Sequence, residues 1–221
     1  MPFDIQSASA IPVLLFGSGG QAKVVIDILN SQAALFRVVG IVDIALKTGS
    51  LFHAIEVLGS DYELEKIITK YKEAKGMVAI GDCHQRYRLV NDIKRRFPYF
   101  SFIQAIHPSA YVASTARIGE GTVVMPGAVV NASAVIGDHC IINTHATIEH
   151  DCCIKDFVNI SPNVTLGGGV IVEELVMMGM SSTVVPNKRI ACHAVIGAGA
   201  VVIHNIPEKK RAFGIPARVI A

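Results

Sequence analysis

Residues 118–142 read IGEGTVVMPGAVVNASAVIGDHCII. Every sixth residue in this stretch is aliphatic: Ile118, Val124, Val130, Ile136 and Ile142. The phase runs outward in both directions without a slip, back to Ile106 and forward through Ile148, Ile160 and Met178 to Val202. Four positions after each aliphatic stands a small or medium residue, such as Ala128, Ala134, Cys140 and Ala146, with Lys188 the one break. An amphipathic helix needs a period of 3.6, and hairpin strands lose register at their turns. A long six-residue repeat predicts a β-helix, in which each hexad supplies one short strand and one turn. The aliphatic residue points inward and the small one fills the corner. One hexad cannot bury its own face, so the coils must stack.

The rhythm stops before residue 106, and residues 1–105 follow another. Pro12–Phe16, Arg37–Asp43 and Met77–Gly81 read as three buried strands. Gln21–Ser31 and His84–Phe97 read as helices, and Asp61 is placed to cap a third that runs to about Ala74. Alternating β and α elements predict a parallel sheet with covering helices. The expected organisation is an α/β, Rossmann-like domain over 1–105 and a β-helix over 106–221, closed by a C-terminal covering strand.

The bulk composition narrows the classes. The chain has 221 residues and is 51% hydrophobic, yet no apolar run reaches the ~18–20 residues that cross a bilayer. The start, MPFDIQSASAIPV, has an acid and no basic segment, so it does not read as a signal peptide. A net charge of +2 gives no electrostatic footprint for nucleic acid. The five cysteines, Cys83, Cys140, Cys152, Cys153 and Cys192, form no C-x-x-C and read as reduced thiols of a cytoplasmic protein.

Two motifs carry chemistry. The loop Gly17-Ser18-Gly19-Gly20-Gln21-Ala22 follows a strand and opens a helix. Small residues there let a phosphate approach free N–H groups at the helix N-terminus. Asp43, ending the second strand, can accept from a ribose or sugar hydroxyl. An NAD-binding dehydrogenase is the rival, but a full dinucleotide fold needs two such halves. The second motif is Glu149-His150-Asp151, set in small and aliphatic repeats. A histidine near neutral pKa can take the proton an attacking amine must lose, worth about 10²–10⁴-fold in rate. A neighbouring carboxylate fixes its tautomer. His139 and His145 are read as surface or cleft residues, and His107 as a junction. His145 and His150 match two zinc ligands of γ-class carbonic anhydrases, but the third position is Ser109 and no metal site is expected.

The segments FGSGGQAKVVIDIL, IVD, AIGDCHQR, HPSAYV, NTHATIEHDC and GIPARVI, in that order from Val13 to Val219, resemble the sialic-acid O-acetyltransferase-like family. These are hexapeptide-repeat nucleotide-sugar acetyltransferases, among them the N-acetyltransferases of bacillosamine- and perosamine-type 4-amino sugars. The resemblance implies a left-handed β-helix, a homotrimer and acetyl-CoA lying between two β-helices. It implies transfer of acetyl to the 4-amino group of a nucleotide-linked 4-amino-4,6-dideoxy sugar, in bacterial surface-glycan synthesis. His150 would be the base and Asp151 its orienting acid. Gly19, Gly20, Gln21, Asp43, Ile44, Gly81 and Asn143 would hold the sugar nucleotide, and Asn159, Met180 and Ala198 the cofactor. The chain departs from the family at Gln21 and Asn159, where histidine is common, and at Ile44, where a second acid is. The clusters Lys188-Arg189 and Lys209-Lys210-Arg211 could meet the cofactor's 3′-phosphate. O-acetylation of a sialic-acid-type sugar, and silent nucleotide-sugar binding, are the alternatives.

Overall fold

The computed structural model describes residues 10–220, so most of the opening stretch read against a signal peptide lies outside it. The amino-terminal domain runs β1 (Ile11–Phe16), α1 (Gly20–Asn30), β2 (Phe36–Val42), β3 (Leu51–Phe52), β4 (Ile55–Gly59), α2 (Leu64–Lys70), β5 (Lys75–Val78) and α3 (Cys83–Arg96). The sheet order is β3-β4-β2-β1-β5, with β4, β2, β1 and β5 mutually parallel. Val13, Leu14, Leu15 and Phe16 on the central β1 are fully buried, which is why that strand is an unbroken apolar run. Helix α1 packs its Val25, Ile28 and Leu29 on one side of the sheet. Helices α2 and α3 pack Leu64, Ile67, Val90 and Ile93 on the other.

Three local expectations need correction. Among the described residues the domain has five strands, not three, because β3 and β4 form an antiparallel hairpin. Its two-residue turn, His53-Ala54, has φ of 49° and 63°, a twist-matched hairpin geometry made without the Asn-Gly that advertises it. The cap of the second helical segment is Ser60, not Asp61. The Glu63 carboxylate accepts from the Ser60 N–H at 2.9 Å in a capping box, and α2 ends at Lys70 rather than near Ala74. The strand read as Met77–Gly81 is Lys75–Val78, and its last residues form the loop into α3.

The β-helix opens at Ala105–Ile106 and closes its coils at Val201–Val202. Each strand is two residues long and ends on the sixth-residue aliphatic. Strand partners are eighteen residues apart, as in Val129↔Thr147 and Ile141↔Asn159, so three hexads make one coil. The first face holds Ala105–Ile106, Val123–Val124, Ile141–Ile142, Asn159–Ile160, Met177–Met178 and Val195–Ile196. It is extended by Arg211–Phe213 and the antiparallel Arg218–Ile220. The second face runs from Tyr111–Val112 to Val201–Val202, and the third from Arg117–Ile118 to Arg189–Ile190. The interior is the predicted one: Val130, Ile142, Ile148 and Ile160 interleave with Ala128, Ala146 and Cys152, all fully buried. Lys188 is half-buried, and its carbonyl still accepts from the Ile171 N–H at 2.9 Å.

One hexad position obeys a rule that composition hides. From Gly121 to Gly199, every sixth residue has φ between 53° and 68°. Glycines take four of these turns, and Ser133, His139, His145, Asp151, Phe157, Asn163, Leu175, Ser181, Asn187 and His193 take the rest. A non-glycine residue there costs roughly 1–2 kcal/mol, so the stacking of neighbouring coils imposes the conformation.

The amino-terminal domain packs on the first face, where Val123, Met125 and Ile141 join the core of α1 and β1. It also packs on the corner where the third face turns into the first. There Phe157 and Leu175 join the core of α2 and α3.

Candidate active site

The loops at the carboxyl edge of the sheet bring most of the sugar-binding candidates together. Gly17 to Gln21 follow β1, Asp43 and Ile44 follow β2, and Gly81 follows β5, on three neighbouring strands. Gly17 has φ of 104°, and a Cβ there would lie 3.2 Å from the Ala79 carbonyl, so glycine is required. Gly19 is the N-cap of α1 with no side-chain cap, and the first turn carries no acid, so its N–H groups and positive dipole end face outward. Asp43 accepts from the Ala45 N–H at 2.7 Å and shapes its own turn. Ile44 is exposed. Gln21 Nε2 is buried with no partner among the described residues.

The histidine motif stands elsewhere. His150 and Asp151 form the turn between Thr147–Ile148 on the second face and Cys153–Ile154 on the third. That is the edge of the prism opposite the first face, on which the amino-terminal domain sits. His150 Nδ1 lies 2.7 Å from Asp151 Oδ2, and its side chain is 64% exposed. The hydrogen bond to Asp151 holds its pKa above the ordinary histidine value, with the Asp151 and Glu149 charges adding to it. Nε2 is left facing out. The ring lies over Gly168, where a Cβ would come within 2.7 Å of Nε2 and push the ring aside. Asn143 Oδ1 accepts from the Thr144 N–H at 2.8 Å, in the turn from the first face to the second. Met180 and Ala198 share that edge on successive coils, both exposed. Asn159 lies on the first face, and its Nδ2 donates to the Gly81 carbonyl at 3.1 Å; its Oδ1 is buried with no partner among the described residues.

Within one chain, then, His150 does not converge with the glycine loop or with Met180 and Ala198. His139 corrects its reading outright. It is fully buried, its ring stacked 5.3 Å from Phe157 and edge-on to Phe102 at 4.7 Å. Burial, aided by Lys94, lowers its pKa to about 3, so it is neutral. His145 is exposed, and His107 Nδ1 bonds Ser109 Oγ at 2.8 Å. Of the basic clusters, Arg189 is engaged by Glu173 and Lys209 by Glu208; Lys188, Lys210 and Arg211 carry no ion pair among the described residues. No group of three metal-ligating side chains occurs among them. Cys153 and Cys192 are only half-buried, unlike the other three thiols.

The sequence reading passed over Arg86, which is 1% exposed. Its signal was available: on α3 it falls in register with the inward-facing Cys83, Val90 and Ile93.

Residues 12–93 match the family model of the PglD N-terminal domain, and residues 115–150 that of the bacterial transferase hexapeptide (six repeats). A crystallised variant of GDP-perosamine N-acetyltransferase from Caulobacter crescentus, in complex with CoA and GDP-perosamine, superposes with a TM-score of 0.88. It is 36% identical over 95% of this chain and 97% of that one. The acetyltransferase domain of PglB from Neisseria gonorrhoeae, in complex with acetyl coenzyme A, has a TM-score of 0.87 and 30% identity over 96% and 100% of the two chains. UDP-N-acetylbacillosamine N-acetyltransferase of Bacillus subtilis is 36% identical over 116 residues, 51% of this chain. The chain spans half the length or less of the curated relatives it matches. An α/β domain docked on a hexapeptide β-helix is the architecture this chain shares with these acetyltransferase structures. The chain belongs to the acetyl-CoA-dependent nucleotide-sugar N-acetyltransferase family.

Proposed function

We propose that this protein moves acetyl from acetyl-CoA to the 4-amino group of a nucleotide-linked 4-amino-4,6-dideoxy sugar. The observation that carries the mechanism is His150: exposed, raised in pKa, and held by Asp151 through Nδ1 so that Nε2 is free to take a proton. The neutral amine attacks the thioester carbonyl. His150 removes the amine proton as the C–N bond forms, and the thiol of CoA leaves with a proton. Asp151 stabilises the imidazolium. Gly168 lies beneath the His150 ring and its N–H has no backbone acceptor among the described residues, so it is the oxyanion donor we favour.

The glycine loop, Asp43 and Gly81 hold the nucleotide sugar, with Asn143 at the sugar; Gly19 and Gly20 present the α1 N-terminus to the diphosphate. Met180 and Ala198 line the cofactor arm. Because His150 occupies the edge away from its own amino-terminal domain, the working site needs a second β-helix beside it, and a homotrimer supplies one at each edge. Five free cysteines fit a reducing compartment, and we place the enzyme in the cytoplasm, making precursors for bacterial surface glycans.

The test is thiol release from acetyl-CoA with UDP-, GDP- and dTDP-4-amino-4,6-dideoxy sugars, and with sialic acid, for wild type and His150→Ala. One amino sugar should react fast, and the variant should lose about 10²–10⁴-fold with an unchanged melting temperature. Release with sialic acid alone would move the assignment to O-acetylation. Turnover retained in His150→Ala would remove the base.

A further inference from the structure

The left-handed turns leave a column of carbonyls that the coil ladder does not use. At the corner facing α3, no backbone N–H among the described residues takes the carbonyls of His139, Phe157 or Leu175. The same holds for Ile80 and Gly81, in the loop between β5 and α3. Arg86 answers four of these five groups. Its Nε donates to the His139 carbonyl at 2.8 Å and Nη2 to that of Phe157 at 3.1 Å. Its Nη1 donates to Ile80 at 2.7 Å and to Gly81 at 3.1 Å. Cys83 Sγ, one turn earlier on α3, reaches the Leu175 carbonyl at 3.7 Å, and His84 stacks on His193 at 5.4 Å. The first turn of α3 therefore reads successive coils at one corner.

Arg86 has no carboxylate within ion-pair distance among the described residues, so its charge is held by carbonyl dipoles alone. A planar guanidinium with five donors suits this task; a lysine ammonium, with three, does not. Gly81 is the shared point, since its carbonyl also receives Asn159 Nδ2. Two side chains, one from each domain, thus tie the loop after β5 to the first face and its adjoining corner.

We infer that Arg86, with Asn159, is a positioning residue: it fixes the Gly81 edge of the nucleotide-sugar site in register with its own β-helix, and through the assembled trimer with the base of the neighbouring subunit. This rests on the acetyl-transfer reading above. It also assigns the Asn159 side chain to the sugar side of the site rather than to the cofactor.

The experiment pairs steady-state kinetics with hydrogen exchange on Arg86→Lys and Asn159→Ala. Arg86→Lys should raise the KM for the nucleotide sugar about tenfold or more, while the KM for acetyl-CoA stays within about twofold. Asn159→Ala, which leaves the clamp and the core in place, should move the same constant in the same direction by roughly threefold. Amides of residues 79–83 should exchange faster in both variants, with the coil amides unchanged. A simple loss of folded protein would lower kcat and leave both KM values alone. An unchanged sugar KM, a parallel rise in the acetyl-CoA KM, or unchanged exchange at 79–83 would each overturn the assignment. If the wild type acetylated no nucleotide sugar, the functional reading would fall, and the exchange measurement would still decide whether the clamp holds the loop.

Discussion

Two corners of the β-helix share a backbone and differ in everything else. His139 and Asp151 occupy the same hexad position with φ of 53° and 60°. At the corner shared by the third and first faces, the turn residues are Gly121, His139, Phe157, Leu175 and His193, bulky after the first, with Phe157 and Leu175 packed into the core of α3. At the corner between the second and third faces they are Ser133, Asp151, Gly169 and Asn187, small or polar and bare. The first corner is an adhesive, and His139 within it is neutral. The second is a platform, and His150 beside it is exposed, with its pKa held up by Asp151. Burial decides the chemistry: one imidazole loses its solvation, and the other keeps water and gains a carboxylate.

The comparison can be broken at either corner. Phe157→Ala should destabilise the protein by about 3 kcal/mol, measured as a lower urea midpoint, because it empties a ring packed against His139 and edge-on to Tyr87 at 5.1 Å. The activity of the folded fraction should change less than its stability. Asp151→Asn acts at the platform and should lower kcat by about ten- to a thousandfold. The sign of its pH effect follows from the raised His150 pKa. In the proposed mechanism His150 acts when neutral, so activity should rise with pH through that pKa. Losing the carboxylate should move the acid limb of kcat/KM to lower pH; a limb that stayed in place would mean another group titrates.

The finest probe is His139→Phe. A folded-state pKa of about 3 against an ordinary 6.5 means the unfolded chain takes a proton that the folded one refuses. Stability should therefore fall as the pH drops from 6.5 toward 3, by up to about 1.4 kcal/mol per pH unit from this group. The phenylalanine variant should show a flatter acid limb in pH-dependent urea unfolding, with little change at neutral pH.

How much of this was legible follows from the same contrast. The coils were plain in the sequence, because a buried aliphatic at a fixed phase is a composition signal. So was His150, because an acid on each side of a histidine is conspicuous among valines and alanines. The left-handed turns were not, since glycine, serine, phenylalanine and leucine all fill them and the stacked coils set their φ. The burial of His139 was not legible either. His139, His145 and Asp151 are equivalent in the hexad, and only the corner covered by α3 separates them. The β3–β4 hairpin escaped because His53-Ala54 carries no turn residue. Arg86 was missed because a charged residue on a helix suggests solvent, although its register pointed inward.

The eighteen-residue coil has a further consequence. The interior counts in sixes, while the exterior counts in eighteens. Excising one hexad upstream of the site would keep every aliphatic inside and every turn left-handed. Yet it would turn all later residues by a third of a revolution, so that Phe157 left α3 and His150 moved to another edge. Excising three would restore the compass. The molecule thus carries two reading frames on one thread, one that a core can check and one that only a docked domain and an assembled site can.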